Sequence, residues 1–139
     1  MKEETKKQIT AYLESPPDHT ALVIQIQNEN IEHTELRDFL TSLENSICLD
    51  LYGYRENLFR SNSHLDSIFY MKKFAVIVVT NKLHHRSTYL KMLSGGSMVT
   101  RKKYEKPFST KYPQKIIFIV REMRVIPPSL IRRSTIITV

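Results

Sequence analysis

The eight residues Gln27-Asn28-Glu29-Asn30-Ile31-Glu32-His33-Thr34 stand between an apolar run, Ala21 to Ile26, and a helical pattern that opens at His33 or Thr34. A strand, a polar loop and a helix beginning with a hydroxyl residue is the layout that wraps a phosphate when the loop reads G-x-x-x-x-G-K-[ST]. The glycines let backbone N–H groups turn onto the anion, and the lysine neutralises it. Here Thr34 keeps the hydroxyl position, but Gln27 and Glu32 replace the glycines and His33 replaces the lysine. Glu29 and Glu32 would set negative charge where phosphates should sit. The stretch is open to two readings, a degenerate phosphate loop or a plain polar turn from strand to helix. Triphosphate chemistry needs a second element, a carboxylate at the end of a buried strand that holds a metal. The clearest buried run, Phe74 to Val79, is followed by Thr80-Asn81, and neither is an acid. The expectation is a chain without ATPase activity and without a cofactor.

Other catalytic or metal chemistry finds little support. His84-His85 is the only paired histidine site, and no acid lies close by in sequence to complete a metal set. Cys48 is the single cysteine, which excludes an internal disulfide and a cysteine metal cluster. Between Ile47 and Leu49 it reads as a small core residue. No Ser-His-Asp or Cys-His arrangement stands out.

The charges point elsewhere. Residues 1–70 hold 6 Lys/Arg against 12 Asp/Glu, a net −6, and residues 71–139 hold 15 against 2, a net +13. The densest stretch is Arg101-Lys102-Lys103-Tyr104-Glu105-Lys106, followed by Lys111, Tyr112 and Lys115. Lysines track phosphates while interleaved aromatics stack on bases, a combination suited to single strands. Tyr104 and Phe108 also suit a core, and Tyr112 is balanced between core and base contact. Arg121, Arg124, Arg132 and Arg133 continue the excess and fit phosphate or interface roles.

The elements that must position these residues follow from apolar patterning. A helix is expected over 2–14, with Ile9, Tyr12 and Leu13 on one side, stopped by Ser15-Pro16-Pro17-Asp18. Strands are expected at 21–26, around 47–49, at 74–79, 116–120 and 135–139. A second helix should carry Leu36, Phe39, Leu40 and Leu43 on one face and run to about Asn45. Arg86 to Leu93 looks helical and ends at Gly95-Gly96, residues 97–114 look irregular, and Pro127-Pro128 opens a short turn or helix. Residues 55–70 are ambiguous. Fully apolar strands alternating with helices indicate an α/β domain with a mainly parallel sheet of about five strands. The 139 residues fit one domain, with 1–17 as an N-terminal helix and linker. No run is long enough to span a membrane and the first residues lack an apolar signal region, so an intracellular setting, cytoplasmic or nuclear, is expected.

The segment Lys91-Met92-Leu93-Ser94-Gly95-Gly96-Ser97 resembles a more specific pattern. With Thr100-Arg101-Lys102-Lys103-Tyr104, Lys106-Pro107-Phe108 and Lys115 to Val120, it is similar to the C-terminal part of superfamily 3 helicases of the D5-like virus and plasmid primase–helicase group. There a helix reaches K-x-L-[ST]-G-G-D, a T-A-R-x-x-Y-x-x-P-F stretch follows, and a strand ends in a sensor Asn. An Ile-Pro and an Arg-Arg pair come later. The likeness covers roughly residues 70–135, and 20–45 more weakly. Ser97 replaces the Asp, Arg121 the sensor Asn, and Thr80 and Asn81 the metal-binding acids. Ile126-Pro127 and Arg132-Arg133 match the later segment at a shorter spacing.

The resemblance implies an AAA+-related, P-loop-like scaffold whose catalytic positions have been replaced. It implies that Lys102, Lys103, Lys106, Lys111 and Lys115 face nucleic acid, DNA in preference to RNA, and that Arg132 and Arg133 stand where an arginine finger would. The expected function is non-catalytic nucleic-acid binding by a domain of viral or mobile-element origin. The alternative is a protein-interaction module that self-associates or joins an intact helicase or another replication protein.

Overall fold

The computed structural model describes residues 3–28, 33–42, 46–50, 74–79, 83, 86–100, 108–111 and 114–139. Helix α1 spans Glu3–Glu14 and strand β1 Ala21–Gln25. Helix α2 spans His33–Thr41 and strand β2 Ser46–Asp50. Strand β3 covers Phe74–Val79 and helix α3 Arg86–Leu93. Two short strands follow, β4 at Ser97–Thr100 and β5 at Phe108–Lys111, and then β6 at Lys115–Val120. A 3₁₀ turn at Met123–Val125, helix α4 at Pro128–Ile131 and strand β7 at Ser134–Thr138 complete the order.

Five strands form one sheet in the order β2-β3-β6-β1-β7, and every neighbouring pair in it is parallel. Parallel neighbours need crossovers, and these put helices on both faces. Ile9, Leu36 and Leu40 from α1 and α2 pack on one face against Leu22, Ile24, Val76, Val78, Ile117 and Ile119. Tyr89, Met92, Leu93 and Leu130 from α3 and α4 pack on the other, against Ala21, Val23, Ala75, Ile77, Ile116 and Phe118. Alternate residues of each central strand serve alternate cores, so β3 and β6 are buried along their whole length. That is why Phe74–Val79 and Ile116–Val120 read as unbroken apolar runs. Each large side chain so buried contributes about 1.5–3 kcal/mol.

Strand β1 leads by way of α2 to β2 at one edge of the sheet, while its neighbour β6 leads by way of α4 to β7 at the other. The connections leaving β1 and β6 therefore diverge onto opposite faces. The crevice beyond their carboxyl ends is the switch point where sheets of this kind admit ligands.

The structure corrects the sequence reading at two elements. Residues 97–114 are not irregular throughout, because β4 and β5 pair antiparallel with Ser97 opposite Lys111 and Thr100 opposite Phe108. Ser-Met-Val-Thr and Phe-Ser-Thr-Lys alternate too weakly in hydropathy to announce strands, and the pairing between them stabilises what neither segment signals alone. Helix α2 ends at Thr41, earlier than its apolar spacing suggests. The ambiguous stretch 55–70 lies outside the described residues. Among those described, no helix is long and apolar enough to cross a membrane.

Candidate functional site

Strand direction divides the chemistry-bearing residues between the two ends of the sheet. At the carboxyl end lie Gln27, Asn28, the start of α2 with His33 and Thr34, and the turn after β6 with Arg121, Glu122 and Arg124. Gln27 and Asn28 both donate their backbone N–H to the carbonyl of Val139, at 2.8 and 3.2 Å, while Val139 N–H donates to Gln25 O at 2.9 Å. The first two amides of the would-be phosphate loop are thus engaged by the strand next door. Gln25 reaches across the switch point and donates from Nε2 to Arg121 O at 3.4 Å. Arg124 is ion-paired with Glu122, and both are exposed. Glu32 lies outside the described residues, as do Thr80 and Asn81, which follow β3.

At the amino end lie the 15–20 turn, the last turn of α3, Gln114 and Lys115, and Arg132-Arg133. Lys115 was expected among the nucleic-acid contacts, and the structure overturns that expectation. It is 7% exposed. Its Nζ donates to Ser15 Oγ at 2.8 Å and to Pro16 O at 3.4 Å, and it lies 4.5 Å from the Tyr12 ring centroid. Burial pulls its ammonium below the usual lysine value, and the nearby Asp18 carboxylate opposes that pull. A lysine at the first position of a central strand stands at the sheet's end, where the α1–β1 connection passes over it. Lys115 is therefore a pin between that connection and β6, unable to reach a ligand without leaving these contacts.

Tyr12 belongs to the same cluster. Its hydroxyl accepts from Ile116 N–H at 3.1 Å and donates to Thr20 O at 2.8 Å, with Ile116 O at 3.2 Å. The sequence offers residues 1–17 as an N-terminal helix and linker of the one domain, and in the structure α1 is tied to the central strand through these bonds and the buried Ile9. Pro16-Pro17 marks a helix stop and carries no signal of what the stopped segment touches. His19, at φ 65°, faces Leu93 O with Nδ1 at 2.6 Å, so the proton sits on Nδ1 and the turn into β1 is fastened to the end of α3.

From this amino end the hairpin departs. Helix α3 closes with Gly95 at φ 77°, a left-handed C-cap in which the Gly95 N–H donates to Met92 O and the Gly96 N–H to Lys91 O. A Cβ on Gly95 would meet Gln114 Nε2 at 2.6 Å, and one on Gly96 would meet Lys91 O at 2.9 Å. The Gly-Gly pair is needed where helix, hairpin and β6 converge. Strand β4 starts directly after it, and β5 ends at Lys111, just before β6. The pairing register puts Ser97 and Lys111 at one end of the hairpin and Thr100 and Phe108 at the other. Arg101, Lys102, Lys103 and Lys106 fall between the two strands in sequence. They and Tyr112 lie outside the described residues, whereas Lys111 is placed by its backbone at the end of β5.

Arg132 caps the carboxyl end of α4 and Arg133 follows it, at the amino end of the sheet and away from the switch point. Their N–H groups donate to Pro128 O and Leu130 O, at 3.0 Å each. The structure separates them from Arg121 and Arg124 by the length of the sheet.

No family model matches the chain, and no curated protein matches it. Solved structures do. The A form apo structure of the NrS-1 C-terminal region aligns with 86% of this chain and 29% of its own, at 14% identity and a TM-score of 0.61. The A form apo structure of that region over 305–718 aligns with 99% of this chain and 33% of its own, at 12% identity and a TM-score of 0.65. The likeness is one of fold. The chain spans about a third of the length of the solved structures it matches.

Proposed function

We propose that this chain is a non-catalytic nucleic-acid-binding domain whose β4–β5 hairpin presents a basic loop to the phosphate backbone. The observation that carries this reading is the hairpin itself. It stands apart from the five-stranded sheet, and its two strands flank 101–107, a stretch with four cations, Arg101, Lys102, Lys103 and Lys106, against one acid, Glu105. A loop of that composition suits phosphates of any sequence, so binding would be weakly sequence-specific and steeply salt-dependent. The absence of a carboxylate after β3 in the sequence, and the engagement of the Gln27 and Asn28 amides by Val139, support a scaffold that no longer turns over nucleotide. The resemblance of residues 91–133 to superfamily 3 helicases and the likeness in fold to the NrS-1 C-terminal region fit a distant origin in a viral replication protein. DNA is the favoured ligand on that resemblance.

Fluorescence anisotropy with labelled single- and double-stranded oligonucleotides over a salt series tests the proposal. Affinity should fall by orders of magnitude between about 50 and 200 mM salt and be lost when Lys102, Lys103 and Lys106 are reversed to Glu. An affinity that ignores salt, or that survives the reversal, would sink it.

One observation favours a second reading, a docking module for a protein. Helices α1 and α2 carry Glu3, Glu4, Glu14, Glu35 and Asp38 against Lys6, Lys7 and Arg37 on one side of the sheet, while Lys91, Arg132 and Arg133 lie toward the other. Gel filtration over the same salt series separates the two, since a salt-resistant oligomer indifferent to oligonucleotide would favour docking.

A further inference from the structure

Strand β7 closes one edge of the sheet, with β1 on its inner side and no described strand beyond it. Its bonds to β1 show which backbone groups are left over. Arg133 O accepts Ala21 N–H at 2.7 Å, Val139 N–H donates to Gln25 O at 2.9 Å, and Val139 O accepts Gln27 N–H at 2.8 Å. Residues 133, 135, 137 and 139 therefore face β1, and by alternation Ser134, Ile136 and Thr138 turn their N–H and C=O groups outward. Among the described residues nothing bonds these outward groups. Exposed sheet edges are normally blunted by a charge, a proline or a bulge. Strand β7 carries none of these, whereas β2 at the other edge ends on Asp50. Ile136 stands 46% exposed, the one large hydrophobic so placed among the described residues.

We infer that β7 is a pairing edge for a second copy of this chain, joined antiparallel about a two-fold axis through Ile136. The inference rests on the docking reading and names its surface. An axis at Ile136 sets Ile136 opposite Ile136 and Ser134 opposite Thr138. All three residues present their backbone groups outward, so each pair exchanges both of its bonds. The two exposed Ile136 side chains cover one another, and the Thr138 hydroxyl stands beside that of Ser134. The edge is thus self-complementary, as a two-fold contact must be. Charge agrees with the antiparallel sense. Arg133 falls opposite Val139, so the arginines of the two copies stand at opposite ends of the joint sheet. Helix α1 ends at the amino end, where Ser15 meets Lys115, so Glu3 and Glu4 in its first turn lie toward the carboxyl end that the other copy's arginines approach. Parallel pairing would set arginine beside arginine. Five residues are far fewer than the roughly 20–30 a side of a standard interface, so the dimer is weak and concentration-dependent.

Sedimentation equilibrium of the full chain over a concentration series tests this, with circular dichroism confirming that each variant is folded. The wild type should show a reversible monomer–dimer equilibrium. Ile136→Lys sets like charges face to face on the axis and should raise the dimer Kd at least about tenfold. A crosslink gives the positive test. Directly opposed residues of a bonded pair lie about 5.5 Å apart at Cα, inside the range of about 4.4–6.8 Å that a disulfide spans. Ile136→Cys in a Cys48→Ser background should therefore oxidise to a covalent dimer in a glutathione buffer, while Thr135→Cys in the same background, off the axis, should not. A dimer that ignores Ile136→Lys and crosslinks no better at 136 than at 135 overturns this inference and leaves the docking reading standing. A chain that stays monomeric at every concentration overturns both this inference and the self-association it rests on.

Discussion

Two tyrosines show how little a residue's type says about its contribution. Burial pushes both phenols above the usual tyrosine range, and neither ionises near neutrality. Tyr12 has partners for its hydroxyl, whereas the Tyr89 hydroxyl is buried without one among the described residues, its ring set edge-on to Phe118 at 5.5 Å. Removing a bonded hydroxyl strands its partners at a cost of about 1–3 kcal/mol, and removing an unpartnered one relieves a desolvation penalty. Tyr12→Phe is expected to lower the melting temperature by several degrees, and Tyr89→Phe to leave it unchanged or raise it. A thermal melt that reverses the order would contradict the assignment. Lys115 adds a pH signature. Its folded value lies below its ordinary 10.5 through burial, so between the two values the unfolded chain binds more protons. Stability then rises with pH across that window and is indifferent to it well below. Urea midpoints should show the wild type gaining on Lys115→Met as pH approaches 10.5. A wild type that loses ground there would remove the buried-ammonium account.

At the scale of elements, the hairpin depends on its launching point. Gly95 adopts a left-handed backbone that costs an L-residue about 1–2 kcal/mol, and its added Cβ meets only the mobile tip of Gln114. Gly96 faces the backbone carbonyl of Lys91, which cannot step aside without loosening the end of α3. Circular-dichroism melts should therefore rank Gly95→Asn as mildest, because Asn tolerates the left-handed region, then Gly95→Ala, with Gly96→Ala most damaging. This ordering also bears on the family likeness. The Gly-Gly match in residues 91–97 is explained by packing alone, so it reports on scaffold and carries no information about chemistry.

For the whole molecule, the two ends of a parallel sheet do different things. The carboxyl end holds the switch point where a nucleotide would bind, yet the first two amides of its loop, those of Gln27 and Asn28, are engaged and two of its loop residues are acidic by sequence. One millimolar Mg-ATP is expected to leave the melting temperature unmoved, since a ligand stabilises only when its concentration approaches its Kd. A shift of several degrees would restore nucleotide binding to consideration. The amino end carries the hairpin root and Arg132-Arg133, with Arg133 bonded to Ser94 at that root.

The central strand segments were legible in the order of residues because a strand buried on both faces must be apolar throughout, a local requirement that Ala21–Ile24, Phe74–Val79 and Ile116–Val120 meet without reference to anything distant. Gly95-Gly96 marked a helix stop for an equally local reason. Strand neighbours could not be read this way. Setting β6 between β3 and β1, and β7 beyond β1, is a choice among long-range pairings to which each apolar run is nearly indifferent. That choice took Lys115 out of the candidate interface, because a cation's availability depends on what crosses above it. It also gathered Arg132, Arg133 and the hairpin root at one end and left Arg121 and Arg124 at the other. Charge is a property of composition; which charges face the same ligand is a property of topology, and only the folded sheet decides it.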